Sequence, residues 1–301
     1  MIEISASVIV SVYRSAPELS TVLFALAHQS RSDFEIIVSE DGESPEMAAI
    51  VEKWSPIFSS RLTHRTQPDI AFRKNRALNQ AVSTSKSNIL IFIDGDCVPS
   101  SRFVQAHIES LRNSQLAGGR RVELGKLWTA RLLDDPSWSI KLSRREVFLA
   151  LLPSLILDGA KNPEFGIRSA WLQKLSKKSH IDIVGCNFSC LKSVLEHING
   201  FDERYLSPGL GEDSDVQERF KKIGVVPTSI KHLAPLYHLF HNRTYSVSQE
   251  NLRIFKTLGE TSDAFCLKGL KHYDDFQIRR DEASIREPLK PLNKKTGSSH
   301  K

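Results

Sequence analysis

The stretch that decides the fold reads Ile89-Leu90-Ile91-Phe92-Ile93-Asp94-Gly95-Asp96. Its five apolar residues have the length and branching of a strand that is buried on both faces. Burial of an unpaired carboxylate is costly, so acids at the end of such a strand need a partner that offsets their charge. Asp94 and Asp96 can both face one divalent cation, and open α/β sheets bind ligands at the carboxyl ends of their strands. The stretch therefore predicts a metal–diphosphate site, with an ordinary strand-to-turn exit as the alternative.

Strand-like runs and helical patterns alternate on the amino-terminal side of this stretch. We predict strands over residues 8–12, 34–39, 62–65 and 89–93, with helices between them. Crossovers of this length join parallel strands. The first hundred residues therefore predict an α/β fold with a doubly wound, mostly parallel central sheet and helices on both faces. They contain no Gly-x-Gly-x-x-Gly fingerprint and no Walker lysine loop, which argues against dinucleotide and P-loop chemistry.

The second half is less regular. Its patterns predict a helix over residues 100–113, a strand near 122–124, a strand over 181–184, a helix that opens at 211–213 and a helical tail beyond 249. A capping box is predicted at Ser15-Ala16-Pro17-Glu18 for the first helix. The lysine-rich end is too polar to build a core, and we expect it to be disordered.

The composition restricts the partners. The 301 residues are 40% hydrophobic and carry a net charge of +6, which favours anionic ligands such as nucleotide diphosphates or anionic lipid. No aromatic–basic stacking pattern or helix-turn-helix signature favours nucleic acid, and we predict no nucleic-acid partner.

The cysteines and the apolar runs indicate the cellular compartment in which the protein is expected. Cys186 and Cys190 are four positions apart without a second pair, so the four cysteines predict reduced thiols rather than a disulfide framework or a zinc ribbon. The chain opens directly on strand residues, which predicts no secretory signal. The longest apolar run, residues 147–157, is too short to span a bilayer and contains Pro153. We therefore expect a cytoplasmic protein.

Several polar motifs lie at the predicted element ends. They are residues 7–13, 33–42, 73–77 and 93–96 in the first half, and 185–189, 199–202 and 211–215 in the second. Their combination resembles glycosyltransferase family 2, the GT-A type of nucleotide-sugar-dependent transferases. The second group is similar to the galactosyltransferase C-terminal module. The resemblance covers residues 5–245 and implies the GT-A fold.

The resemblance implies a donor site. Asp41 would accept hydrogen bonds from the uracil or ribose, and Ser11 and Tyr13 would line the base pocket. Arg73 would face the diphosphate, since a planar guanidinium suits phosphate oxygens. Asn187 would lie near the donor sugar or the acceptor. Without the resemblance, these positions are typical of a turn aspartate, strand-end packing and a solvated helix start.

The resemblance also implies a metal site. Asp96 would bind Mn²⁺ or Mg²⁺, and Asp94 would contact the ribose or metal-bound water. His238 would supply a further ligand, with His241 as the competitor. An imidazole beside carboxylates points toward Mn²⁺.

Catalysis is expected at the second acidic motif. Asp213 would be the general base that takes the proton of the acceptor hydroxyl, and Glu212 would hold an acceptor hydroxyl. One base with direct displacement predicts inversion at the anomeric carbon. The alternative is that Glu212, Asp213 and Asp215 only charge-cap a helix.

These roles imply an inverting, metal-dependent glycosyltransferase that moves a sugar from a UDP-sugar to a hydroxyl of a glycan or glycolipid, in cell-surface polysaccharide or lipopolysaccharide synthesis. We divide the chain into a nucleotide-sugar-binding half over 1–99, an acceptor half over 100–248, a helical extension over 249–286 and a disordered tail over 287–301. The alternatives are a sugar-nucleotide nucleotidyltransferase, which usually carries a glycine-rich basic loop where this chain has residues 13–17, and an inactive nucleotide- or glycan-binding module.

Residues 128–179 carry no recognisable motif. Basic residues flank the apolar run 147–157 within this insert: Lys141, Arg144, Arg145, Lys174, Lys177 and Lys178. Such a pattern predicts peripheral contact with an anionic membrane surface, at the inner face of the membrane. The alternative is a core helix of the acceptor half with a solvated basic face.

Overall fold

A computed structural model describes residues 3–142, 149, 153, 157–176, 181–242 and 248–271 of the chain. The tail over 287–301 and most of the apolar run over 147–157 lie outside these residues. Within the described part, no helix combines the length and apolar character needed to cross a bilayer.

Ten strands are present in the described part of the chain. They are β1 (Ala6–Val12), β2 (Phe34–Glu40), β3 (Leu62–Arg65), β4 (Ile89–Asp94), β5 (Cys97–Pro99), β6 (Leu116–Gly118), β7 (Val122–Glu123), β8 (Phe188–Leu191), β9 (Thr228–Ser229) and β10 (Leu236–His238).

The helices of the described part lie between these strands and after them. They are α1 (Ala16–Ala27), α2 (Pro45–Phe58), α3 (Lys74–Thr84), α4 (Phe103–Leu111), α5 (Lys126–Asp134), α6 (Trp138–Lys141), α7 (Ala170–Ser176), α8 (Lys192–His197), α9 (Asp213–Lys222) and α10 (Gln249–Glu260). Short 3₁₀ turns lie at Ser59–Arg61 and Pro163–Gly166. The helix α10 lies at the start of the helical extension predicted over 249–286, and residues 261–270 continue without a helix.

The central sheet has seven strands in the order β3-β2-β1-β4-β8-β6-β9. The strands β3, β2, β1 and β4 are parallel, whereas β8 is antiparallel to both β4 and β6. The register places Ser11 opposite Ser39 on one side and opposite Asp94 on the other. The carboxyl ends of β1, β2 and β4 therefore meet at one edge of the sheet, as the sequence predicted.

A second, three-stranded sheet has the order β5-β10-β7. Its strand β10 places Tyr237 opposite Val98, and His238 opposite Cys97 and Glu123. This small sheet matters for the site because it brings His238 beside the residues that follow β4.

Side chains of the central sheet alternate between two apolar cores. Val8 and Val10 of β1 pack on one face with α1, α2 and α4, while Ile9 packs on the other face with α3 and α9. Covering both faces explains why β1 and β2 are nearly continuous apolar runs.

Two local predictions were wrong. Ser15 precedes α1, but its side chain makes no cap hydrogen bond. The strand expected over residues 181–184 is irregular, although Ile181 and Ile183 are buried as an alternating pattern requires. No regular strand forms here because the Ile183 N–H donates a hydrogen bond to Gln217 Oε1 at 2.5 Å instead of to a carbonyl of a neighbouring strand. The strand itself begins at Phe188.

Candidate active site

One cavity of about 760 Å³ opens at the carboxyl edge of the central sheet. Its wall combines residues from the ends of β1, β2 and β4 with residues before β8, at the start of α9 and after β10. Nine residues singled out from the sequence line it: Ser11, Tyr13, Asp41, Asp94, Asp96, Glu212, Asp213, His238 and His241. Acids that are more than a hundred positions apart in the chain are thus brought to one space.

Asp41 is anchored at the end of β2. Its Oδ1 accepts a hydrogen bond from Gln67 Nε2 at 2.6 Å, and its Oδ2 accepts one from the Arg73 backbone N–H at 2.6 Å. Its own N–H donates to the Val12 carbonyl at 3.1 Å. The side chain is only 6% exposed. These contacts hold the carboxylate in a single orientation at the edge of the cavity.

Arg73 does not take the position expected for it. Its guanidinium donates to the Pro68 carbonyl, and only its backbone reaches Asp41. The next residue, Lys74, lines the cavity instead. The reason is the phase of the helix, because Arg73 is the non-helical N-cap residue of α3 and Lys74 is its first helical residue.

Lys74 joins the two acidic motifs. Its Nζ lies 2.9 Å from Asp94 Oδ1 and 2.7 Å from Glu212 Oε2. Burial lowers the pKa of the Lys74 ammonium, but the two carboxylates outweigh burial and hold that pKa above its ordinary value. Lys74 is therefore a fixed positive charge between the strand β4 and the start of α9.

Asp96 faces two imidazoles. Its Oδ2 lies 3.5 Å from His238 Nε2 and 3.3 Å from His241 Nε2. Burial raises the pKa of Asp96, but the neighbouring His241 and His238 outweigh this effect and lower it to about 2. The carboxylate is thus ionised at neutral pH.

His238 has a second carboxylate behind it. Its Nδ1 lies 3.4 Å from Glu123 Oε2, and Glu123 in turn pairs with Arg121 Nε at 2.8 Å. Burial raises the pKa of Glu123, but His238 and Arg121 outweigh burial and lower it. A carboxylate on one ring nitrogen orients the ring and directs the other nitrogen toward a cation. His238 Nε2 is therefore directed toward Asp96.

The donor set fits a divalent cation. Carboxylate oxygen from Asp96 and imidazole nitrogen from His238 converge, with His241 beside them, and oxygen and nitrogen ligands of this kind suit Mn²⁺. The sequence left His238 and His241 as competitors, and in the structure both rings face the same carboxylate oxygen.

Asp213 is the first residue of α9 and lines the cavity. Its Oδ2 accepts a hydrogen bond from the Gly185 N–H at 2.8 Å, and its Oδ1 accepts one from the Ser214 N–H at 2.8 Å. Glu212 immediately before it is the N-cap residue, whose side chain pairs with Lys74. These two backbone donors hold the Asp213 carboxylate in place at the wall of the cavity.

Asn187 is not part of the cavity wall, which corrects the expected contact with donor sugar or acceptor. The side chain is fully buried, and its Nδ2 donates to the carbonyls of Arg120 at 2.6 Å and Ala234 at 3.1 Å. Its Oδ1 lies 3.2 Å from His107 Nε2. Asn187 therefore holds the loop before β8 in place from behind the site.

Sequence reasoning missed several residues of the site. These are Lys74, Arg121, Glu123, Cys97 and Cys186. Lys74 lies in a motif that the sequence had already singled out, and only the exact start of α3 distinguishes it from Arg73. Glu123 lies within the predicted strand near 122–124, but pairing of β7 with β10 is needed to bring it to His238.

Family models match both halves of the chain. The model for glycosyl transferase family 2 matches residues 7–163, which is more than half of the 301 residues. The chain belongs to glycosyl transferase family 2. In this family 2 glycosyltransferase, the model described as the N-terminal domain of galactosyltransferase matches residues 167–242. Both parts of the resemblance are confirmed, and the family is one of glycosyltransferases, as predicted.

Two curated relatives match shorter stretches. An uncharacterized glycosyltransferase of Bacillus subtilis (strain 168), YfnE, is 30% identical over 112 residues, which are 36% of this chain and 28% of the relative. A chondroitin synthase of Escherichia coli is 26% identical over 119 residues, which are 38% of this chain and 17% of the relative. The matches thus cover less than a third of either relative.

Solved structures resemble most of this family 2 glycosyltransferase. A mannosyltransferase from Pyrobaculum calidifontis, solved with GDP-Man and Mn²⁺, has a TM-score of 0.54 at 14% identity and covers 96% of this chain and 66% of that one. GalNAc-T7, solved with UDP, GalNAc and Mn²⁺, has a TM-score of 0.60 at 9% identity and covers 93% of this chain and 55% of that one. At these identities the likeness concerns the fold alone, and it confirms the GT-A fold.

Proposed function

We propose that the protein transfers a hexosyl group from a UDP-sugar to a hydroxyl of a glycan, with inversion and with a divalent cation in the site. The observation that carries this proposal is the single cavity that brings Asp41, Asp96 and Asp213 together. In this proposal Asp41 binds the uridine, Asp96 faces the diphosphate and Asp213 faces the acceptor.

The reaction follows from this arrangement. Asp213 accepts the proton of the acceptor hydroxyl while that oxygen forms a bond to the anomeric carbon. The bond from the anomeric carbon to the diphosphate oxygen breaks in the same displacement, and its electron pair leaves with UDP. One carboxylate and one displacement give inversion of the anomeric configuration.

Asp96 and His238 would hold Mn²⁺ or Mg²⁺, with His241 adjacent, and Asp94 would contact the ribose or a water of the cation. The bound cation supplies positive charge that stabilises the diphosphate as a leaving group. Lys74 takes the diphosphate role expected of Arg73, because its ammonium is the cation of α3 that lines the cavity. Ser11 and Tyr13 would bound the base pocket, and Glu212 would hold an acceptor hydroxyl.

The wider role is part of the same proposal. A relative named chondroitin synthase supports a place in polysaccharide synthesis, and the structure of GalNAc-T7 with UDP and Mn²⁺ supports the choice of nucleotide and cation. Glycolipid acceptors, contact with an anionic membrane, a cytoplasmic location, the exclusion of nucleic acid and the four-part division of the chain stay predictions.

The proposal is tested by the release of UDP from a panel of UDP-sugars with Mn²⁺, with and without a chelator. Release should occur for at least one sugar and should stop on chelation. Release that continues unchanged with the chelator would contradict the role of the cation, and no release with any sugar and glycan acceptor would favour an inactive binding module.

The base is tested with Asp213→Asn, which keeps the size of the side chain but removes its basic oxygen. Transfer should fall by about 10²–10⁴-fold, the usual worth of a general base, while UDP binding remains. Glu218→Gln, on the exposed part of the same helix, is the matched control and should transfer at the wild-type rate. Near-normal transfer by Asp213→Asn would place the base elsewhere.

A further inference from the structure

Two buried thiols stand beside Asp94, and one of them, Cys186, lies in the wall of the cavity. Sulfur atoms of Cys97 and Cys186 and a carboxylate oxygen of Asp94 all lie within 4.8 Å of one another. Cys97 begins β5 and Cys186 precedes β8, so the two thiols come from separate parts of the chain. Both are fully buried, and Cys186 and Asp94 line the cavity through which an ion would enter.

The surrounding charges suit a divalent ion. Arg121 Nη1 lies 3.2 Å from Cys186 Sγ. Exchange of two thiol protons for one divalent ion leaves the net charge of the cluster unchanged, with the Arg121 guanidinium beside it. Lys74, the other cation on Asp94, is already shared with Glu212.

Thiolates select soft or borderline cations, whereas the oxygen and nitrogen donors near Asp96 suit a hard ion. Zinc binds sulfur at about 2.3 Å and carboxylate oxygen at about 2.0–2.2 Å, which puts neighbouring ligands of a tetrahedral site roughly 3.3–3.8 Å apart. Side-chain shifts of about 1 Å would bring the three atoms to that spacing.

We propose that Asp94, Cys97 and Cys186 form a second cation site, one for Zn²⁺ or a similarly soft divalent ion, with cavity water as the fourth ligand. Each thiol releases its proton to solvent as its sulfur binds the ion. This site is distinct from the centre at Asp96 and His238, and its existence does not depend on the glycosyl transfer proposed above.

The two sites adjoin at Cys97. Cys97 also lies within 4.8 Å of the ligand atoms of Asp96 and His238.

The probe is Co²⁺ added without oxygen to the reduced protein, because thiolate ligands give bound cobalt an intense near-ultraviolet charge-transfer absorption. The absorption should appear in the wild type and disappear when Zn²⁺ is added. It should be lost in Cys97→Ala and in Cys186→Ala. Cys190→Ala and Cys266→Ala are the matched controls, since these thiols are also buried but lie outside the cluster, and they should retain it.

Persistence of the absorption in either Cys97→Ala or Cys186→Ala would overturn the proposal, as would its absence from the wild type. X-ray absorption at the zinc edge gives a result that needs no variant. Zinc bound to the wild-type protein should show two sulfur neighbours at about 2.3 Å, and a shell of oxygen and nitrogen alone would overturn the site. These measurements do not involve sugar transfer, so their outcome is separate from that of the UDP-release test.

Discussion

At the scale of single residues, Lys74 links the two acidic motifs of the site. It is held between Asp94 of β4 and Glu212, the residue before α9. A buried ammonium with two carboxylates stays charged, and it lies in the cavity that the diphosphate would enter. Its neighbour Arg73 carries a similar charge but directs it to the Pro68 carbonyl.

This difference predicts unequal effects of removing the two charges. Lys74→Met should weaken UDP binding about ten- to a hundredfold, because a hydrogen bond to a charged group is worth roughly 1.5–3 kcal/mol. Arg73→Met should weaken UDP binding by less than about threefold. Arg73 does not line the cavity, and its guanidinium donates to the Pro68 carbonyl, so this variant should lose no hydrogen bond to UDP. Isothermal titration of both variants with UDP and Mn²⁺ measures the comparison.

The reverse order would restore the diphosphate role to Arg73. Unfolding by denaturant is recorded for both variants as a control, because Lys74→Met leaves two carboxylates without their shared cation. A loss of UDP binding that merely tracks unfolding would not support a direct contact.

At the scale of elements, the start of α9 depends on Gly211. Its φ of +103° lies in the left-handed region, and an added Cβ would lie 1.9 Å from Tyr205 Cδ1. Tyr205 is nearly fully buried, with its hydroxyl 3.1 Å from Asp215. Only glycine allows the chain to turn here and to place Glu212 and Asp213 at the cavity.

Gly211→Ala should therefore destabilise the fold more than Gly224→Ala at the other end of α9. Gly224 also has a positive φ, +74°, but an added Cβ would meet no atom within 4 Å. Left-handed strain alone costs about 1–2 kcal/mol, and overpacking against Tyr205 should add roughly 1–3 kcal/mol at Gly211. Unfolding in urea measures the difference.

Activity separates the two variants further. Gly211→Ala displaces the residues that carry the proposed base, so transfer should fall even in the folded fraction, whereas Gly224→Ala should keep it. Equal losses of stability in the two variants would contradict this prediction, because they would show that a Cβ at position 211 fits beside Tyr205.

At the scale of the whole molecule, the cavity joins the parallel strands of the central sheet to the part of the chain that follows β8. Ser11, Asp41 and Asp96 come from the parallel half, while Asp213 and His238 come from the part that follows β8. A ligand that contacts both parts binds the folded protein alone and stabilises it by mass action.

UDP with Mn²⁺ should therefore raise the thermal transition of the protein, and UDP with a chelator should not. Saturation at about a hundred times Kd corresponds to roughly 2.7 kcal/mol of added stability. GDP with Mn²⁺ serves as the matched ligand and should give the smaller shift if the base pocket favours uracil. An equal shift with GDP would remove the preference for UDP, and a shift that survives chelation would separate nucleotide binding from the cation.

The sequence predicted the elements that end in acids. The strand before Asp94, the turn at Asp41 and the helix that begins at Asp213 all follow from local apolar patterns and from the residue types that end strands and begin helices. Because parallel strands place their carboxyl ends at one edge, the meeting of Asp41 and Asp94 could also be expected from the chain alone.

The amino-acid sequence alone therefore determined the fold class, the family and the acids at the edge of the sheet, because these features depend on local periodicity and short motifs. Only the tertiary structure decided that Lys74 rather than Arg73 lines the cavity. It also decided that Asn187 is buried outside the cavity wall and that Glu123 contacts His238. Each of these depends on the exact start of a helix or on the pairing of distant strands, and a one-residue change in either turns a side chain to another face.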